Sequence, residues 1–389
     1  AVVGVVICLI GAALFVSSGD SFSEIEESQK YEGKGGVMIY LGQSDGSFRA
    51  TPEFVFFGPQ AGKKIKAITS GDFNGDELSD ILISNPAWTG TGSNAGGVTM
   101  VLGRTNAANT EHKTEVICEF DFEFYGSNAN DKLGFSVANV GDINADGCDD
   151  FAAGSKESDQ PINNRGQVRV FWGWGGAGCP ADATVTALTA GLSNAKCGAA
   201  IAGGDDIDGD SIPDMVIGGD EFENGSGTKT GIIWLVSGTY LLSLDSQNLS
   251  DATTSPVLES IGPSMADSTL HIQGVDLEER FGSALAILPD VESDGRGVVV
   301  VGHPGSWELD YANAGGASLY RFETGATPGF QGYPYLHLSG ETVNWGSELG
   351  RSIDAVKLDS GALLSIGGFW GSGTGIDRGS AYIVPFEIP

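Results

Sequence analysis

The chain has 389 residues, 41% of them hydrophobic and 18% charged, with 60 glycines and a formal net charge of −31. That length and apolar content support a substantial core, and the glycine load suits many tight turns between short strands. The acidity repels phosphate backbones and anionic lipid, which excludes nucleic acid as a direct partner and suits solvated surface in a salty or calcium-rich medium.

Residues 1–30 stand apart. AVVGVVICLIGAALFVSSG carries no charge, and its first sixteen positions are apolar or glycine. As a helix those sixteen residues reach about 24 Å, short of a ~30 Å hydrocarbon core. Phe15, Phe22 and Ile25 continue the apolar face, predicting a helix to about Lys30 that Gly33 ends. Neither Met nor a basic segment precedes Ala1, so the chain reads as processed, its leader gone and its hydrophobic segment kept. This arrangement resembles the mature N terminus of type IV pilin-like proteins, including archaeal pilins and archaellins; bacterial type IV pilins usually carry glutamate where this chain has Val5. The resemblance implies an extracellular cell-surface filament, membrane-inserted before assembly, in which the helix polymerises with copies of itself and Gly4, Gly11 and Ala12 allow close approach. A single membrane anchor holding a monomeric receptor and a retained signal sequence are the alternatives.

Residues 31–389 are expected to form the head. GGVMIYLGQSDGSFRATPEFVFFG holds two alternating apolar runs around a Gly-Ser turn and reads as a hairpin. Inside it GQSDG matches the G-x-S-x-G pattern at Ser44, but a nucleophile elbow needs a strand-to-helix turn and both flanks here are strands.

Then a short acidic stretch recurs: GDFNGDELSD, GDINADGCDD and DDIDGDSIPD. Loop positions 1, 3, 5 and 9 are Asp72, Asn74, Asp76 and Asp80, then Asp142, Asn144, Asp146 and Asp150, then Asp206, Asp208, Asp210 and Asp214. Alternate positions turn inward in a tight loop, and the carbonyls of Leu78, Cys148 and Ile212 at position 7 offer a further oxygen, a donor set suited to Ca²⁺. Ordinary Asx turns account for one such run but not for three in register. Each loop lies between an apolar segment and a β-rich run, and a third run follows a glycine-rich turn (GGVTMVLG, GQVRVFWG, GIIWLVSG).

This order resembles the FG-GAP repeat of integrin α-subunit propellers, over most of residues 36–389. FGSALAILPDVESDGRGVVVVGHPG keeps the landmarks but has Val298 at the ninth position, and LGRSIDAVKLDSGALLSIGGFWG shortens the loop almost to nothing. The expected fold is therefore an all-β propeller of about five recognisable blades, six or seven remaining open, behind a long N-terminal hydrophobic helix. Three loops are expected to hold structural Ca²⁺ and two blades to close without metal. EFVFF would supply the fourth strand of the last blade, leaving VMIYL over to cap an edge, join a sixth partial blade or pair with a neighbour.

The connection from Thr239 is polar and turn-rich. Sequons at Asn224 and Asn248 fall in expected loops. Of five cysteines, Cys8 lies in the apolar segment; nearness in sequence favours Cys179 with Cys197 and Cys118 with Cys148, with buried thiols as the alternative. The four histidines are dispersed, and neither a Walker loop nor a dinucleotide fingerprint occurs. No acid, base or nucleophile assembles, so a non-enzyme is expected, with a glycan or protein ligand on the propeller.

Overall fold

Short runs of β-branched and aromatic residues between glycines fold as strands along the whole chain. The computed structural model describes residues 7–12, 34–40, 52, 54–61, 63, 65–103, 115–117, 120–159, 165–173, 185–189, 194–223, 227–245, 271–275, 279–290, 294–306, 314–323, 329–330, 336–339, 348–358, 361–368 and 380–387.

Strand β1 (Ile7–Ala12) pairs antiparallel with β2 (Lys34–Tyr40), and β2 with β3 (Phe54–Ala61) in the register Val37↔Phe56 and Met38↔Val55. An antiparallel meander follows in β4 (Ala67–Gly71), β5 (Asp80–Asn85) and β6 (Gly97–Val101). The chain then sends β7 (Glu115–Ile117) back to lie parallel to β3, and β8 (Phe122–Tyr125) completes the meander against β6. The same unit recurs as β9 (Ser136–Gly141), β10 (Asp150–Ser155), β11 (Gln167–Phe171) and β12 (Val185–Thr189). Next come β13 (Cys197–Asp205), β14 (Asp214–Gly219), β15 (Ile232–Val236), a helix α1 (Gly238–Asp245) and β16 (His271–Gln273). The fourth unit is β17 (Ala284–Leu288), β18 (Val298–Gly302), β19 (Gly316–Tyr320), a small hairpin β20 (Phe322–Glu323) with β21 (Gly329–Phe330), and β22 (Leu336–Ser339). Strands β23 (Ser352–Leu358), β24 (Gly361–Gly368) and β25 (Ser380–Glu387) form the last sheet.

These five meanders are blades 1 to 5. Their first strands stand side by side, β4 against β9, β9 against β13, β13 against β17 and β17 against β23, as the inner strands of a propeller do. Middle strands such as VVVVG and IIWLV are buried along their whole length, because each blade is covered on both faces by its neighbours. Apolar clusters fill each gap; between blades 1 and 2, Phe73, Leu82 and Val98 meet Phe151 and Phe171, whose rings stack with centroids 4.6 Å apart.

The seam between blades is a repeated glycine contact. A methyl group on Gly154, Gly218 or Gly302 would lie 2.2, 2.1 or 2.0 Å from the carbonyl oxygen of Gly198, Gly282 or Gly350 in the next blade. Those three glycines have φ of 85°, 81° and 87°, so both partners are restricted, one by space and one by conformation. The residue before each, Cys197, Phe281 or Leu349, is buried and bridges to the glycine that opens the preceding blade's third strand.

Three expectations need correction. The helix is not formed at Ile7–Ala12, which is a strand, and the remainder of residues 1–30 lies outside the described residues. A segment apolar on every side carries no period that separates helix from strand, and its valines and isoleucines suit a sheet. Second, EFVFF joins VMIYL in a sixth sheet with β1 and β7 rather than completing blade 5, which has three strands among the described residues. Third, the connection from Thr239 begins as helix α1, whose Leu241 and Leu244 pack into the core between blades 2 and 3. Among the described residues no helix is long and apolar enough to cross a membrane.

Candidate metal centre

In blades 1 to 3 the acidic stretches are the hairpin loops between first and second strands, and the three share one hydrogen-bond scheme. The backbone N–H at position 6 donates to the position-1 carboxylate: Glu77 to Asp72 at 2.7 Å, Gly147 to Asp142 at 2.9 Å, Ser211 to Asp206 at 2.7 Å. The N–H at position 7, from Leu78, Cys148 or Ile212, donates at 2.9 Å to Asp76, Asp146 or Asp210. Left-handed backbone at position 6, φ 67° at Glu77 and 69° at Ser211, makes the turn that folds positions 1, 3 and 5 towards one point.

The third loop brings Asp206, Asp208 and Asp210 together, with carboxylate oxygens within 4.8 Å of one another. Desolvation, then the charge of Asp210, pushes Asp208 above the usual carboxylate range. Hydroxyls of Thr239 and Ser237 donate to Asp210 at 2.6 and 3.5 Å. In the first loop one amide, Asp76 N–H, donates to both Asp72 Oδ1 and Asn74 Oδ1 at 3.0 and 3.1 Å; Asp146 N–H donates likewise to Asp142 and Asn144.

The ninth-position carboxylates sit beneath. Asp80, Asp150 and Asp214 are fully buried. One oxygen of each accepts from the position-2 N–H (Phe73, Ile143, Ile207) at 2.8 to 3.0 Å. The other accepts from a glycine N–H beyond the third strand (Gly103, Gly173, Gly238) at 2.7 to 2.9 Å. Each therefore braces its loop to its blade. Burial lifts them to about 6, 8 and 7 respectively, against the opposing pull of those N–H donors. A divalent cation above them would favour the ionised forms.

The chemistry of this donor set fits Ca²⁺: hard oxygens at alternate positions of a turn, some already drawn to one amide. Asp72, Asn74, Asp76, Asp142, Asn144, Asp146, Asp206, Asp208 and Asp210 are the residues that would hold it, with the ninth-position aspartates beside or below.

Adjacent loops are also joined, which the sequence did not reveal. Asp149 N–H donates to Asp72 O at 2.8 Å, while the Asp149 carboxylate accepts from Asp72 N–H at 3.0 Å and from Asn139 Nδ2 at 2.8 Å. Likewise Gly297 N–H in blade 4 donates to Asp206 O at 2.7 Å. Such contacts depend on which blade lies next door, and nothing local in DD at 149–150 signals them.

Blade 4 differs as its sequence suggests. Asp290 accepts from Gly295 N–H at 2.9 Å, but Arg296 and Arg321 place guanidinium nitrogens 2.6 and 2.7 Å from Asp294 Oδ2. Asp359 of blade 5 lies outside the described residues.

Cys148 is disulfide-bonded, and Cys118 and Cys179 lie outside the described residues. Cys197 keeps its thiol, so the pairing with Cys179 is not formed. The physical reason is its place: it occupies the seam position held by Phe281 and Leu349 in later blades. Asn224, Asn248 and Ser44 also fall outside the described residues.

Comparison with known proteins agrees with this geometry. A family model described as FG-GAP repeat matches residues 133–171, which run from the blade 1–2 seam through the second acidic loop to β11. Integrin alpha-PS2 of Drosophila melanogaster is 31% identical over 161 residues, 39% of this chain and 11% of that protein. Integrin alpha-5 of Xenopus laevis is 28% identical over 159 residues, 39% of this chain and 14% of that protein. The matches thus span a small part of each relative's length.

Proposed function

We propose that the chain is a calcium-stabilised FG-GAP propeller displayed outside the cell as a non-enzymatic adhesion- or receptor-type module. The observation that supports this most is the third loop, where Asp206, Asp208 and Asp210 converge within 4.8 Å. Two further loops repeat its hydrogen-bond scheme, and the FG-GAP match covers one of them. The integrin relatives suggest the adhesion role and the extracellular setting. Bound Ca²⁺ neutralises clustered carboxylates and fixes each hairpin, so metal affinity and folding free energy are linked. The propeller then presents the opposite end of its blades to a protein or glycan ligand.

A filament role rests on a polymerising N-terminal helix. Ile7–Ala12 instead hydrogen-bonds to β2, so this proposal keeps the displayed propeller and includes β1 in it.

Calcium titration of the chelator-stripped full chain tests the reading. Three ions per chain are expected, and Asp208→Ala should remove one. A stoichiometry of zero would overturn the metal assignment, and the adhesion role with it.

A further inference from the structure

The end of the blades opposite the acidic loops is built from residues that enter each first strand and leave each second strand. Cations gather there. Lys66 precedes β4, Lys132 and Lys196 precede the seam residues Leu133 and Cys197, Arg280 precedes Phe281, Arg351 precedes β23 and Lys156 follows β10. In a chain with 20 basic residues against 51 acidic ones, that is a local gathering of cations, interleaved with the carboxylates of Glu157, Asp220, Glu221 and Glu348.

The cations meet across blades. Lys66 Nζ of blade 1 lies 4.8 Å from the centroid of the half-buried Phe135 ring, and Lys156 Nζ of blade 2 lies 4.2 Å from it. Lys156 is 8% exposed and stands 3.5 Å from both carboxylate oxygens of Asp220 in blade 3. Desolvation, then the charges of Lys156 and of Arg351 from blade 5, lower the pKa of Lys66, with Asp220 opposing. Residues of three blades, Lys66, Lys156 and Asp220, therefore meet at one mouth. Beside it opens a cavity of about 390 Å³ whose lining includes Asp220, Glu221, Lys229, Arg280 and Glu348.

The cavity's carboxylates are already matched by cations: Glu221 with Lys229 at 2.9 Å, Asp220 with Lys156 at 3.5 Å and Glu348 with Arg351 at 2.8 Å. Among the described residues, Lys66 and Arg280 have no such ion pair. An incoming anion would meet these two unmatched charges. A long polyanion would be repelled by the net charge of −31, whereas a small anion meets chiefly the cations within a Debye length of it.

We propose that this mouth binds a small ligand bearing a carboxylate or sulfate group, with the anionic group drawn to Lys66 above Phe135 and the remainder of the ligand in the cavity against Arg280. The proposal rests on the blade arrangement and not on bound calcium.

Isothermal titration of the full chain at low ionic strength tests it, using sodium sulfate, N-acetylaspartate and galacturonate in turn. Saturable one-site binding of at least one of them is expected. Sulfate alone would mark an inorganic oxyanion site, and either organic acid a carboxylate site carried by a peptide side chain or a sugar. Lys66→Gln or Arg280→Gln should weaken it about tenfold by removing one charge-assisted contact, with melting temperature and calcium stoichiometry unchanged. No saturable heat up to ~10 mM of all three, or affinity unaltered in both variants, would overturn it. Because calcium stoichiometry is read in the same samples, failure of the anion site and failure of the metal assignment are separate outcomes.

Discussion

In blade 3 the loop gathers Asp206, Asp208 and Asp210 within 4.8 Å and buries Asp214 completely beneath them. In blade 4 the corresponding hairpin places Arg296 and Arg321 on Asp294 and fills the ninth position with Val298, 2% exposed. The backbone turn is shared, with left-handed Ser211 at φ 69° in one and Gly295 at φ 83° in the other. The carboxylates respond in opposite directions. Desolvation and neighbouring acids push Asp208 up. Burial also pushes Asp294 up, but hydrogen bonds and charge from Arg296, with the charge of Arg321, outweigh it and hold Asp294 below its ordinary range. One hairpin thus leaves its carboxylates open to a cation from solution, while the other meets them with cations carried by the chain.

Chelation is the largest perturbation of that contrast. Each saturated site adds about 2.7 kcal/mol at a hundredfold excess of ion over its dissociation constant, so stripping three sites should lower the melting temperature of the full chain by many degrees. Hydrogen exchange in the same sample should rise at the loops of blades 1 to 3 and stay unchanged at 294–298. Uniform exchange across all four loops would erase the distinction.

Val298→Asp asks whether blade 4 can be returned to the other class. It places a carboxylate at a buried site whose loop already has two guanidinium groups, so a loss of roughly 3 kcal/mol is expected from denaturant unfolding. Calcium should not restore it, because the guanidinium groups of Arg296 and Arg321 already occupy Asp294, the fifth loop position. Full rescue by calcium would show that the metal loop needs only its ninth acid.

The buried ninth-position acids also set a pH dependence for the stripped protein. Asp80, Asp150 and Asp214 have folded values of about 6, 8 and 7, raised by burial above the unfolded ~3.9. A group raised in this way contributes stability that is complete below the unfolded value and lost as pH climbs through the folded one. Chelated protein should therefore weaken steadily from pH 5 to about 8 in thermal melts. With calcium the slope should flatten, since the ion favours the carboxylates. Equal slopes with and without calcium would detach these residues from the metal.

Much of this was legible in the sequence, for physical reasons that also explain the failures. The acidic loops could be read because side chains at positions 1, 3 and 5 act within one turn, and decay of the fourth loop was visible in Val298. The seam glycines were legible as landmarks although their partner lies a whole blade away. What could not be read depends on non-local pairing. AVVGVVICLIGA is apolar in every direction, so its helix or strand state turns on whether VMIYL is available beside it. EFVFF could add to either end of the chain, and its pairing with β2 rather than β25 is a choice between sheets. The α1 segment was hidden by its polar continuation, though Leu241 and Leu244 carry a helical spacing. Cys197 misled because nearness in sequence to Cys179 says nothing of its burial in the blade 2–3 seam.

The smallest expected effect concerns how the metal loops communicate. Asp149 links the first two loops through its carboxylate, which accepts from Asp72 N–H and Asn139 Nδ2 at 3.0 and 2.8 Å. The next pair lacks such a link: position 8 of the third loop is Pro213, which has no N–H to donate. Asp149→Ala should thus leave the third site unaffected and weaken calcium at the first two by a few-fold, about 0.5–1 kcal/mol for a lost hydrogen bond at a partly exposed position. Terbium luminescence titration with Asp208→Ala as background isolates those two sites. If binding there is unchanged, the contact between neighbouring loops is packing alone and each loop takes up its ion independently.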